Sequence, residues 1–587
     1  MKDRKGFTLV ELLAVIAILA ILVILVLPNV IKIYTRARKS AFLTETKNIY
    51  KEAEKKFISG NITNTDVKVI DSENDSKLDM TGEKLKYCIV LDSRGKVELL
   101  KASNGKYVIE VSKDEDIANV DIDRITEGNL DDYKCNGVVP PKATNCTYDG
   151  ELVQGAEFVQ GKFTYRYMQE GKFVRDGKSL DWQNIATDGW GVQLTDKTST
   201  DAVVADTCTY INDKPVVSAA EMFSLSKASS IDMSKMNSSN IVSFAATFSS
   251  AEAKSINLKN VDTSNATTLV GMFEGTKTDS LDVSGFDTRK VNNMNFMFNS
   301  ITASEIKGIE KLDTRNVVSM IFMLANTNIK SINLSNFNTK NVTSMAAMFY
   351  NSSFESLDLK SFDTSNVTDM SWMFWRSKAE NLDLSSFNTS NVQNFADMFY
   401  ESKAKKLDLR NFDTSSATTF TLMFYNSAAE TIDVSSFNTS KVTSFYGMFW
   451  STKIKSVDLS HFDTSSATDM ARMFRDTLIE KLDVSSFNTS KVTTMLQMFN
   501  RTAATEIIGL DKFDTTSVTN MEYMFNMCNA EVLDLSSFDI TNTSNIKYMF
   551  NGSKSKIGYA RDEETVAKFS NKSVTSIPST LKFSVKK

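Results

Sequence analysis

The sequence predicts an α/β repeat protein: a long N-terminal helix bearing a small antiparallel β head, then a solenoid of about 14 copies of a 25-residue repeat. Three observations carry this. An apolar run from Phe7 to Leu27 contains a single charge. Short strand-like runs separated by turn signals fill residues 61–140. From about Lys214 onward, a phenylalanine returns at a nearly constant stride.

The apolar run is long enough for about 30 Å of helix, the hydrocarbon thickness of a bilayer. It follows a short basic leader, and the position where a cut would fall, after Gly6, precedes it. An ordinary secretory signal is cleaved after a shorter apolar core, so here the helix stays with the mature chain. A lone Glu11 inside a membrane helix is costly and calls for a partner. Basic residues flank the run on both sides (Lys2, Arg4 and Lys5 before it, Lys32, Arg36, Arg38 and Lys39 after), so charge alone leaves its orientation open. Phe42, Ile49, Ala53 and Phe57 then recur at helical spacing, and Gly60-Asn61 ends the helix.

These residues resemble the class III signal of type IV pilins and pseudopilins: Gly6 before the cut, Phe7 as the new N-terminus, Glu11 as the fifth mature residue and Pro28 where pilins kink. The resemblance covers roughly the first 60 residues. It implies cleavage after Gly6 and N-methylation of Phe7 by a prepilin peptidase, and fibre assembly with other pilin subunits through Glu11 and the ammonium of a neighbouring Phe7. It also implies a precursor with a single pass in the inner or cytoplasmic membrane, the leader inside and the C-terminal region outside, later carried to the cell surface or a pilus.

Beyond the helix, Lys84–Leu91 and Gly95–Leu100 read as strands, and Lys106–Val111 follows the Asn104-Gly105 hairpin signal. Pro140-Pro141 marks a linker. Residues 142–211 then place Phe158, Phe163, Tyr165, Tyr167, Phe173, Trp182 and Trp190 in short strand-like runs, read as the packed core of a small adaptor module in preference to a sugar site. The expected boundaries are 1–6 for the leader, 7–60 for the spine helix, 61–141 for the head, 142–211 for the aromatic module, 212–556 for the solenoid and 557–587 for its cap.

Each repeat has a readable logic. In one copy Leu357 and Leu359 flank Asp358 with the period of two of a short strand. Phe362 turns back into the core. Asn366 and Asp369 are spaced as an N-cap and its partner, and Val367, Met370 and Phe374 would share one face of a short helical turn. One copy cannot bury this apolar set, whereas a stack can. The closing residues run from Phe223 to Phe550 in steps of 25, with Leu324 in one slot and two steps of 26. At strand spacing of about 4.8 Å the stack would be roughly 65 Å long. The motif Leu-Asp-Leu-Ser-Ser-Phe-Asn-Thr-Ser at residues 382–390 resembles the BspA-type leucine-rich repeats of bacterial surface proteins, which implies an LRR-like curved solenoid and a role in adhesion.

Two columns of the array are candidate sites. Tyr350, Trp375, Tyr400, Tyr425 and Trp450 follow the closing residue in successive copies. They form either an exposed aromatic strip for a glycan or protein ligand, or a structural ladder over the turn, the latter slightly favoured. Asp358, Asp383, Asp408, Asp433, Asp458 and Asp483 should stack about one strand apart. Such like charges repel unless solvated, hydrogen-bonded or bridged by cations. No cofactor is expected, and calcium along this acidic column is the one metal the sequence leaves room for.

Composition excludes several classes. The formal net charge is −5, and loss of residues 1–6 makes it −7. No basic patch stands out, so nucleic acid is not an expected partner. The one histidine, His461, sits in a variable repeat position and argues against histidine-based catalysis. No nucleophile–base pair or phosphate loop is present, so no enzymatic activity is expected. Five cysteines suit an exported protein, with Cys88–Cys135 and Cys146–Cys208 paired by locality and Cys528 left as a buried thiol. The function that follows is a minor, adhesin-like type IV pilin bearing a repeat rod toward host, matrix or other cells. The alternative is a pseudopilin of a type II secretion or DNA-uptake machine whose repeats form an extracellular scaffold.

Overall fold

The structure, a computed structural model, describes the helix Leu9–Lys56 with its side chains from residue 32 to 55, residues 68–72, 78, 85–91, 97–112, 117–128, 143–172, 174–175 and 178–179, and residues 188–586. The chain forms two compact units, Met1–Lys142 and Ala143–Lys587.

In the first unit a 48-residue helix, α1 (Leu9–Lys56), precedes five strands: β1 (Lys68–Asp71), β2 (Lys86–Leu91), β3 (Val97–Ser103), β4 (Tyr107–Ser112) and β5 (Thr126–Glu127). The strands pair antiparallel in sequence order, the meander that the hairpin signals predict. Phe42, Ile49 and Ala53 of α1 are buried with Ile89, Leu100 and Ile109 of the sheet. Phe57 lies outside the described residues. Among the described residues no helix is long and apolar enough to cross a membrane.

The second unit is a β-solenoid of about 16 turns. It exceeds the 14 sequence copies because both ends continue the stack. Residues 143–218 are not a separate adaptor. Their six-stranded sheet shares one apolar core with the coils, and Val203–Val204 pairs in parallel with Ser230–Asp232 of the first repeats. Tyr165, Trp190 and Phe163 are buried there, Phe163 against the first closing ring, Phe223, at 6.3 Å. At the other end, Val532–Leu535, Ile557–Ala560 and Lys582–Val585 pair in parallel, so the cap supplies further turns. The helix Glu563–Phe569, N-capped by the Asp562 carboxylate on Thr565 N at 2.7 Å, drives Phe569 against Phe550 and Phe583.

The α/β expectation needs correction inside the repeats. The segment after Asp369 forms no helix but two consecutive tight turns. Trp372 and Arg376 both have left-handed backbones, with φ of 55° and 51°. Alternate amides serve two purposes. Met373, Trp375 and Ser377 N donate three residues back, while Met370, Trp372, Phe374 and Arg376 N donate to the next coil at 2.7–3.1 Å. A helix needs every amide to bond four residues back, so this inter-coil ladder excludes it. Val367, Met370 and Phe374 are still fully buried, because the turn also points them inward. Asn366 and Asp369 do not cap one another: Asn366 Nδ2 donates to Lys340 O of the preceding coil, and Asp369 Oδ1 accepts from Ser371 N.

Three further columns hold the coils together. Asp369-type residues form a continuous chain of parallel bridges from Ser218 to Asn545. The closing phenylalanines stack with centroids 5.3–6.1 Å apart and planes within 17°, interrupted only at Leu324. A buried hydroxyl ladder runs from Ser238 to Thr515, each Oγ donating to the main chain of the next coil, as Thr364 does to Asn388 O.

Candidate functional site

The side chains with the most chemistry on the solenoid surface are those beside the closing phenylalanine. The left-handed residues two before and two after that ring turn the intervening side chain outward. Tyr350, Trp375, Tyr400, Tyr425 and Trp450 are consequently half-buried and in contact along the stack. Tyr350–Trp375, Trp375–Tyr400 and Tyr400–Tyr425 are stacked at 4.2, 5.3 and 4.4 Å, and Tyr425 meets Trp450 edge-on at 4.7 Å. Stacking of each ring on the next covers much of the ring faces. Burial, with the neighbouring Tyr425 and Glu401, pushes the Tyr400 phenol up to about 12.

The strip extends further than the column identified from sequence. Phe296 and Phe322, both at left-handed positions, stack at 5.2 Å, and Phe322 continues to Tyr350 at 5.5 Å. At the other end, the Arg475 guanidinium lies 4.5 Å and that of Arg472 5.3 Å from the centre of the Trp450 ring. Arg472 also donates to Tyr446 Oη. Arg475 continues the sequence column 25 residues after Trp450, whereas Phe296, Phe322 and Arg472 lie at left-handed positions that no residue type marks.

Asp397 lies in the same surface between Trp372 and Leu422 of neighbouring coils. Burial pushes its carboxyl up to about 6, against the effect of a hydrogen bond from Trp372. Arg376 covers Trp375 at 4.3 Å and pairs with Glu401 at 2.6 Å.

The acidic column is engaged locally. Each Oδ1 accepts the amide two residues on, from Asp358 with Lys360 N at 3.2 Å to Asp483 with Ser485 N at 2.9 Å. The hydroxyl and the amide of the serine two residues on hold Asp383, Asp433, Asp458 and Asp483 below the usual carboxylate range. The Arg410 side chain, with its own amide, takes Asp408 to about 2. Among the described residues, no three His, Cys, Asp or Glu side chains converge as a metal site would require. His461 is exposed, and its Nε2 contacts Val434 O at 2.9 Å, in the place where Ser386 and Ser486 donate to the preceding coil.

Cys146 and Cys208 are disulfide-bonded, with Cα atoms 5.8 Å apart. Cys88 is also in a disulfide, while its predicted partner Cys135 lies outside the described residues. The processing and assembly positions Gly6, Phe7, Glu11 and Pro28 likewise lie outside the residues whose side chains are described.

The fold and its ladders define a β-solenoid repeat protein whose N-terminus carries a processing signal. The prokaryotic N-terminal methylation motif matches residues 1–27. It implies processing by a prepilin peptidase, assembly with pilin-type subunits, and a membrane-anchored precursor destined for surface display. The chain belongs to the DUF285 family, described as Mycoplasma protein of unknown function, with matches over residues 198–305, 292–410, 383–478, 404–507 and 446–562. No curated protein and no solved structure matches the chain.

Proposed function

We propose that this chain is a minor, adhesin-like pilin. Its N-terminal helix enters a type IV fibre, and its solenoid presents the strip from Phe296 to Arg475 to a ligand on host, matrix or neighbouring cells. The observation carrying this reading is the strip itself, a continuous row of aromatic and guanidinium side chains left half-exposed in a protein whose other repeat columns are occupied with holding coils together. Exposed apolar and aromatic rows of this extent are uncommon on proteins without a partner. The likeness to BspA-type leucine-rich repeats supports the same reading at the level of motif. A bulky rod on every subunit would crowd a shaft, which favours a tip or low-copy position.

The pseudopilin reading draws support from those internal columns. Asx turns, hydroxyl ladder and stacked rings make a rod suited to spacing. Immunogold labelling on producing cells separates the two. Label at fibre tips, with adhesion to cells or matrix lost in a Tyr400→Ala/Tyr425→Ala/Trp450→Ala variant, supports the adhesin. Label confined to the envelope, with wild-type adhesion unchanged by the triple variant, overturns it.

A further inference from the structure

The C-terminal end of the strip holds more positive charge than it neutralises. Arg472, Arg475 and Arg501 come from two neighbouring coils and gather around Trp450, Asp476 and Gln497. Asp476 is shared: its carboxylate takes Arg475 Nε at 3.1 Å, Arg501 Nε at 2.8 Å and Trp450 Nε1 at 3.3 Å. Burial raises Asp469, the other acid near Arg472, and even with it the three guanidiniums face only two carboxylates. Between the two inner guanidiniums stands a neutral group. Gln497 Oε1 accepts from Arg472 Nε at 2.9 Å and from Arg475 Nη1 at 2.5 Å. Among the described residues, Nη2 of both arginines makes no hydrogen bond. Arg475 retains only 23% of its side-chain exposure, so these cations are already partly stripped of water.

Two guanidiniums held together by an amide oxygen repel one another, and a carboxylate in place of Gln497 would relieve that. An external anion can do the same, because an arginine offers paired N–H groups in a plane that suit carboxylate or sulfate. From Arg475 over Trp450 the half-buried row continues through Tyr425, Tyr400, Trp375 and Tyr350, each ring against the next. A row of phenol and indole rings leading to a cation pair suits a polymer of sugar rings that carries an acidic group at intervals. We propose that this end of the strip binds an anionic polysaccharide, the acidic group seated on Arg472 and Arg475 and the sugar rings along the aromatic row. This rests on the display reading above and specifies the ligand class.

The test uses the full chain in detergent with hyaluronate as carboxylated probe, dextran sulfate as sulfated probe, and neutral dextran and poly-glutamate as controls. The expected result is binding to at least one polyanionic sugar and not to neutral dextran, with the preferred probe identifying the acidic group. Gln497→Glu supplies an internal anion and is expected to weaken binding tenfold or more with an unchanged or raised melting temperature. Arg315→Gln, on a distant coil, leaves binding unchanged. If Gln497→Glu does not fold, Arg475→Gln is expected to give the same loss. Absence of binding to both sugars, equal binding by folded Gln497→Glu, or equal affinity for poly-glutamate overturns the proposal. Wild-type adhesion to cells in the face of any of these results leaves the display reading standing, whereas loss of all adhesion removes that too.

Discussion

Thr364 and Asn388, on neighbouring coils, exchange hydrogen bonds in both directions: Thr364 Oγ1 donates to Asn388 O at 2.9 Å, and Asn388 N donates to Thr364 Oγ1 at 2.8 Å. One hydroxyl therefore satisfies both main-chain groups of a residue in the next turn, in a place where Thr364 itself has no solvent exposure. Valine has the same shape and can do neither. Thr364→Val is expected to lower stability by about 1–3 kcal/mol, the cost of leaving buried main-chain groups unsatisfied. Urea denaturation against Ser365→Ala, a half-buried neighbour outside the hydroxyl ladder, measures it.

The left-handed turn positions give a prediction of opposite sign at two sites four residues apart. Ser451 has φ of 58°, which a Cβ disfavours and glycine accepts. Ser451→Gly should stabilise by about 0.5–1 kcal/mol. Gly447 shares that backbone, and an added Cβ would come within 2.6 Å of Leu422 Cδ2. Gly447→Ala should destabilise by about 1–3 kcal/mol. Melting temperatures moving in the same direction for both variants would contradict the assignment.

Asp397 makes stability depend on pH. Its folded value of about 6 lies above the ordinary aspartate value of 3.8. Its contribution is therefore fully present below the ordinary value and is lost as pH rises through about 6. Asparagine keeps an acceptor for Trp372 without the charge. Asp397→Asn should raise the melting temperature clearly at pH 7.5 and hardly at pH 3.5, which a pH series of thermal melts reads directly.

The two kinds of cysteine should respond differently. Cys528 is fully buried, and burial pushes its thiol up to about 12, so alkylation by iodoacetamide is expected only after denaturation. The Cys146–Cys208 bridge closes a separation of 62 residues at the N-terminal end of the solenoid. A Cys146→Ser/Cys208→Ser pair should cost about 2–4 kcal/mol in that region. Hydrogen exchange should show the loss concentrated in residues 143–218, because coils interact only with their neighbours.

Much of this architecture is visible in the chain. The stride of 25 residues reveals the stacking, the leucines around Asp358 their inward direction, and the aromatic column its five members. Other parts are not. Val367, Met370 and Phe374 have helical spacing, yet a double turn with alternate amides bonded across coils buries the same three residues. Nothing in Trp372, Arg376 or Leu422 advertises a left-handed backbone, because the residue types are not those that prefer it. The recurring threonine before Ser365 and Ser390 was legible as a pattern, but its task appears only when the next coil is in place. Likewise, Asp358 and its equivalents suggest a charged ladder until each is seen occupied by an amide two residues away.

The sequence by itself determined the N-terminal signal, the existence of the stack and the residue type in every column, since each of these follows from local composition and from a period. The tertiary structure decided which columns meet. Only the closure of each coil brings Arg472 and Arg475 onto Trp450 and sets Gln497 between them, residues up to 47 positions apart in the chain. The reason is physical. A period states which residues are equivalent, whereas contact depends on the path the backbone takes within one period, and here that path is set by paired left-handed turns whose amides bond to the neighbouring coil.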